Sequence, residues 1–409
     1  MERGWGEAMQ LSTGHLTYCT NIHPGENWPS HFAALKQNFP SVKAQVSADR
    51  SMGIGLRLSN VASVELDKPG NLAEFKQWLT EQDAYVFTMN GFPYGEFHHT
   101  AVKDQVHAPD WTTQLRVDYT LRMFQILARL LPKGMEGGIS TSPLSYKHWY
   151  KTDEKLQEAK NIATANILVI AEELIKINRD KGINMHLDIE PEPDGVLETG
   201  REFITWYESV LLPMGREQIA QKFNVSTGEA ELLIKQHITL CYDVCHFAIG
   251  YEPHQEVVDE LAAKGLKVGK IQISAALNAV LPEDIDLREP IKNAFARFDE
   301  STYLHQVVAK KISGKLIRYP DLPEALADIE NPLVEQWRAH FHVPIFTEEY
   351  GLVQSTQSDI IAVLNIQKNK PFTDHLEVET YTWGVLPDAK KLPINDSIAR
   401  ELNWVKDQL

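Results

Sequence analysis

The sequence predicts an α/β protein, a (β/α)8 TIM barrel that carries two insertions. Three observations point there. Short apolar or alternating segments ending in polar loops recur down the chain, and most are followed by helical periodicity. No GxGxxG or GxxxxGK(S/T) loop follows any of them, which argues against an open nucleotide-binding sheet. The 409 residues exceed the ~250 of a bare barrel, and no Pro-, Gly- or Ser-rich linker divides them. One domain over residues 1–409 is therefore expected, with the surplus in insertions at about 213–237 and 281–339.

In chain order the strand candidates are LTYCTNI (16–22), GLRLS (55–59), AYVFTMN (84–90), GGIST (137–141), NMHLDIE (184–190), ITLCYDV (238–244), KIQIS (270–274), HFHVPIF (340–346) and HLEVETYTW (375–383). Nine is one more than a barrel needs, so either KIQIS or HFHVPIF is the seventh strand, and the other belongs with the insertion. Apolar residues at three- and four-residue spacing predict helices over 28–39, 71–82, 110–131, 152–180, 199–212, 254–264 and 356–367. Residues 213–237 read as a helical excursion before strand six, and 281–339 as an insertion near strands seven and eight with a strand of its own, TYLHQVV.

The formal net charge of −16 repels a polyanion, so nucleic acid is an unsuitable partner. Cys19, Cys241 and Cys245 have no disulfide or zinc-ribbon spacing. No apolar run has the length of a signal peptide or a membrane span, so a cytoplasmic protein without membrane insertion is expected.

Barrel enzymes place their chemistry at the C-terminal strand ends. In HLDIEPEP, Glu190 sits at such an end, because the proline after it stops the strand; Glu192 and Asp194 read as a solvated acidic turn. In CYDVCH, Asp243 and His246 can turn toward one cation. HFHVPIF sets His340 and His342 on one face, as two imidazoles of one cavity or as packed core residues. LEVETYTW aligns Glu377, Glu379, Tyr381 and Trp383, an expensive set to bury without a compensating cation. KIQIS offers Lys270 and Gln272, and the early loops offer His23, Arg57, His98 and His99. Oxygen and imidazole donors without thiolate suit Mn, Mg, Co or Zn. Two carboxylates across such a cation fit proton transfer beside a carbonyl, the chemistry of sugar isomerases and epimerases.

The order of strand-end Glu, DxxH, polar or His strand and final Glu resembles the xylose-isomerase-like barrels. LTYCTNIHPGENW, NGFPYGEFH, ISTSPLSY, YDVCHFAIGYE, KIQIS, HFHVPIF and HLEVETYTWGVLP are similar to the EboE family of that superfamily, labelled as metabolite traffic proteins of bacterial ebo gene clusters. The resemblance implies a cytoplasmic barrel working with other ebo-cluster proteins on a small molecule. It implies catalytic, metal-binding carboxylates at Glu190 and Glu379, and further ligands at Asp243 and His246. The superfamily's seventh-strand histidine falls at Gln272 or at His342. Substrate contacts are expected from His23, Arg57, His98, Lys270 and His340. The leading expectation is a metal-dependent isomerase or epimerase of a sugar, sugar phosphate or cyclitol. A non-catalytic binding and traffic protein is the alternative, and a metal-dependent hydrolase of small phosphoesters the second.

Overall fold

The computed structural model describes residues 10–11, 13–95, 103–299, 304–383 and 391–409. His98 and His99 lie outside them. Eight parallel strands form the barrel: β1 (Gly14–Tyr18), β2 (Met52–Arg57), β3 (Ala84–Asn90), β4 (Gly137–Thr141), β5 (Met185–Ile189), β6 (Ile238–Asp243), β7 (Val268–Ile273) and β8 (His375–Val378). Each pairs with the next, and β8 returns to β1. Between β1 and β2 the ladder is reduced to one bridge, Cys19 to Gly55. Thr17 closes the remainder with its side chain: its hydroxyl donates to the Gly53 carbonyl (2.9 Å) and accepts from the Gly55 N–H (3.1 Å).

Helices wrap the outside because a parallel strand is buried on both faces and needs cover. The strand pattern follows from this. Leu16, Ile139, Leu187, Ile271 and Leu376 enter the core shared with the helices. Their neighbours Thr17, Asp188, Lys270 and Glu377 are fully buried polar residues. Lys270 Nζ and Glu377 Oε2 are 3.4 Å apart, and each compensates the other's charge. The helix starts are well specified: Asn27, Thr113 and Thr152 each accept a backbone N–H, and Thr199 with Glu202 and Ser226 with Glu229 form capping boxes. Gly182 ends the long helix Asp153–Lys181 at φ 67°. The excursion before β6 is helical as expected, Leu212–Phe223 and Thr227–His237. Among the described residues no helix is long and apolar enough to cross a membrane.

KIQIS is the seventh barrel strand, since β7 pairs with both β6 and β8. HFHVPIF is not a strand. The preceding strand, Val334–Ala339, belongs to a second, antiparallel sheet whose ladder stops at Ala339. Residues 340–344 then run without a ladder and 345–346 form a turn; His340 N–H donates to the Gln306 carbonyl and Val343 N–H to the Ala275 carbonyl. Extended backbone with period-two histidines imitates a strand in sequence, but only a partner ladder makes one.

The second sheet also moves the insertion's bounds. It begins directly after β7 with Leu277–Val280 and continues to Val353–Ser355, in the order Leu316–Tyr319, Val307–Lys311, Val334–Ala339, Leu277–Val280, Val353–Ser355, Glu349–Tyr350. The span expected at 281–339 was therefore too short at both ends, and the TYLHQVV strand starts only at Val307. The final strand is likewise shorter than HLEVETYTW, ending at Val378.

Candidate metal and substrate site

The barrel's C-terminal rim brings the carboxylates together. Glu190 continues β5 by one hydrogen bond, from its N–H to the Thr141 carbonyl, before Pro191 removes the next donor. Asp243 ends β6 and caps the helix Val244–Ile249, its Oδ1 accepting from His246 N–H (3.2 Å) and from Ser274 Oγ (2.6 Å). Glu379 lies just past β8, its N–H held by the Ile273 carbonyl. One oxygen from each of Glu190, Asp243 and Glu379 lies within 4.8 Å of the others.

The imidazole comes from the insertion. On β7, Gln272 donates its amide to Glu379 Oε2. His342 reaches in from the extended segment, Nδ1 3.3 Å from Glu379 Oε2 and Nε2 3.9 Å from Asp243 Oδ2. His246 places Nε2 3.9 Å from Asp243 Oδ2 and 3.2 Å from His340 Nε2.

A divalent cation fits this donor set. Glu190 Oε2, Asp243 Oδ2 and His342 Nε2 are buried, and each lacks a hydrogen-bond partner. Three buried carboxyls in one cluster are costly without a counter-charge. Burial, with Asp243 and Glu379 adding repulsion, pushes the Glu190 carboxyl well above the usual range. Burial also acts on Glu379, but hydrogen bonds from His342 and Gln272 prevail and hold it below that range. The surroundings thus push the two carboxyls in opposite directions before any cation is present.

A cavity of ≈ 80 Å³ opens above these groups, lined by Asn21, Asn90, Phe92, Glu190, His246, Gln272, His340, His342, Glu379 and Tyr381 among others. Asn21 and Asn90 both donate to Glu379 Oε1 (2.6 and 3.2 Å). Tyr381 stacks on His342 at 4.6 Å.

Of the sequence-derived substrate contacts, only His340 lines the cavity among the described residues. His23 bonds the Tyr18 hydroxyl through Nε2 (3.0 Å), and Arg57 is held by Glu26 (3.2 Å) and the Gly95 carbonyl (2.5 Å). Lys270 lies inside the barrel with Glu377, so the cation compensating Glu377 is a lysine and not a metal. Conversely, Glu192 is no solvated turn residue: it is 7% exposed and lines the cavity beside His107. The EPE spacing after β5 was the available signal for Glu192; nothing local marks His107.

No family model and no curated protein matches the chain. Solved structures do. The IolI protein with a bound zinc atom is 14% identical over 96% of this chain and 97% of its own, TM-score 0.47. A xylose isomerase-like TIM barrel protein from Mycobacterium smegmatis, in complex with magnesium, is 9% identical over 97% and 96%, TM-score 0.49. The probable 3-DHS dehydratase AsbF from Bacillus anthracis is 10% identical over 96% and 98%, TM-score 0.43. These likenesses concern the fold alone.

Proposed function

We propose that the chain is a metal-dependent isomerase or epimerase of a small polyhydroxylated compound. The observation that carries this is the pair Glu190 and Glu379, grouped with Asp243 at the cavity with one oxygen of each within 4.8 Å of the others. Glu190, Asp243, Glu379 and His342 would hold a divalent ion (Mn, Mg, Co or Zn), with His246 and Gln272 beside them. When bound, the ion supplies positive charge for an oxyanion developing next to the reacting carbon.

In this reading Glu379, ionised, accepts a proton from a carbon adjacent to a carbonyl, and Glu190 returns one to the neighbouring atom. Asn21, Asn90 and Gln272 hold Glu379 in place, and the insertion's residues keep water from the cavity. Barrel and insertion then act as one domain, because each contributes to one site. The similarity to EboE adds a cytoplasmic setting and partners from an ebo-type cluster that pass on the product. A specific observation favours the traffic reading as runner-up: the Gln272 amide occupies a Glu379 oxygen that a metal would use.

The test is metal content by mass spectrometry together with proton exchange of candidate sugars and cyclitols in deuterated water. About one equivalent of metal, lost in Glu190→Gln and Glu379→Gln, with deuterium entering a substrate, is the expected result. A filled site without exchange on any candidate leaves the binding role as the better account.

A further inference from the structure

Cys245 brings a thiol beside the two histidines of the insertion. It is fully buried on the helix Val244–Ile249, in a small apolar cluster with Ile249, Ala276 and Val308. Its Sγ donates to the Phe341 carbonyl at 3.3 Å. His340 and His342 flank Phe341, and one donor atom from each of Cys245, His340 and His342 lies within 4.8 Å of the others. No carboxylate belongs to this group.

Both rings are held as metal ligands are held. His340 Nδ1 faces Gln306 Oε1 at 2.8 Å, and Gln306 spends its amide on the Pro193 carbonyl, so Nδ1 carries the proton and Nε2 the lone pair. His342 Nδ1 faces the Glu379 carbonyl at 3.2 Å, and Nε2 is buried with no hydrogen-bond partner. Histidines that ligate metals donate their second N–H to such acceptors. An ion, unlike an organic ligand, sits among donor atoms that face one another, so their burial is no obstacle. Both rings line the cavity, which gives the ion a way in.

The donor set selects the ion. One thiolate with two imidazoles is a copper set, and soft sulfur favours the cuprous state. A cuprous ion and a thiolate cancel in charge, the cheapest combination beside the apolar cluster around Cys245, whereas a divalent ion would leave a net positive charge. The geometry points to a second cation site, in which Cys245, His340 and His342 hold a cuprous ion apart from the carboxylates. On binding, the Cys245 thiol releases its proton to solvent, and the sulfur exchanges its hydrogen bond to the Phe341 carbonyl for the metal. His342 belongs to both sites and its Nε2 serves one ion at a time, so copper here opposes the divalent ion of the reading above.

Titration of the reduced, oxygen-free protein with cuprous ion against a coloured cuprous chelator tests it. About one equivalent should leave the chelator for the protein, and the copper X-ray absorption spectrum should show one sulfur and two nitrogen neighbours. Cys245→Ser, nearly the same shape, should keep the melting temperature of the metal-free protein and lose the copper, as should His340→Phe. Gln306→Leu, which removes only the support behind His340, should weaken binding roughly ten- to hundred-fold. Glu190→Gln should bind copper as wild type does, and copper-loaded protein should bind manganese more weakly than copper-free protein. Copper left on the chelator, copper retained by Cys245→Ser, copper lost in Glu190→Gln, or copper and manganese that bind independently would each overturn the inference. Protein that takes copper but never manganese would strike only the reading above.

Discussion

His246 Nε2 and His340 Nε2 face each other at 3.2 Å with a lone pair on each. The hydrogen bonds behind the rings dictate this. His246 Nδ1 donates to the Pro191 carbonyl (3.0 Å), and His340 Nδ1 to Gln306 Oε1 (2.8 Å). Gln306 is oriented by its own amide, which donates to the Pro193 carbonyl (3.3 Å). Two facing lone pairs need a proton or a cation between them, and burial, the first cause for both rings, pushes both below the usual imidazole range.

Zinc prefers imidazole more than magnesium does. A ligand at 100 times its dissociation constant stabilises by ~2.7 kcal/mol. His342→Phe should therefore lose most of the zinc-induced rise in melting temperature and keep the magnesium-induced rise, whereas Asp243→Asn should lose both. Equal losses for the two metals in His342→Phe would remove the assignment of His342 as a ligand.

The Lys270 and Glu377 pair is sealed inside the barrel, with both side chains fully buried. Removing one partner strands the other's charge, at a cost of about 3–5 kcal/mol. Lys270→Met should show that loss in urea unfolding, and Lys270→Met combined with Glu377→Met should recover most of it. A double variant as unstable as the single one would mean that packing, not charge, dominates there.

Glu401 gives the fold a pH dependence. Burial pushes its carboxyl up to about 8, against hydrogen bonds from Ile345 N–H (2.9 Å) and the Thr380 hydroxyl (2.8 Å). Since the folded state holds this proton more tightly than the unfolded chain, the stabilising contribution is present in acid and is lost as pH rises from about 4.5 to about 8. Glu401→Gln keeps an acceptor and removes the titration. It should match wild type at pH ~4.5 and exceed it by roughly 2–4 kcal/mol at pH ~8. Parallel stability curves for the two proteins would refute the assignment.

Gly269 makes room for Asp188: a Cβ there would overlap Asp188 Oδ1 and come within 2.5 Å of Thr239 Oγ1. Gly269→Ala should destabilise by ~1–3 kcal/mol, read from thermal unfolding. A neutral effect would show that Asp188, whose Oδ1 lies 2.5 Å from His186 Nδ1, can yield.

The barrel strands and the positions of Glu190, Asp243, His246 and Glu379 at the rim were legible because they follow local rules: alternation of apolar and polar side chains, a proline that stops a strand, and an aspartate that caps a helix. What was missed depends on distant chain. Whether 340–346 forms a strand depends on a ladder that ends at Ala339, and nothing within those seven residues encodes it. Glu192 reads as solvated because its sequence neighbours are acidic, whereas its cover comes from His107, 85 positions earlier. Lys270 looked like a substrate contact because its partner, Glu377, is carried by a different strand.

The carboxylates are mounted on the barrel, but His340 and His342 hang from the end of Val334–Ala339 in the antiparallel sheet. A site built on two frames is only as rigid as the looser frame. Fraying of that one strand would withdraw His340 and His342 and leave the carboxylates and His246 standing. Amide exchange along Val334–Ala339 thus becomes a remote gauge of whether the cavity is complete.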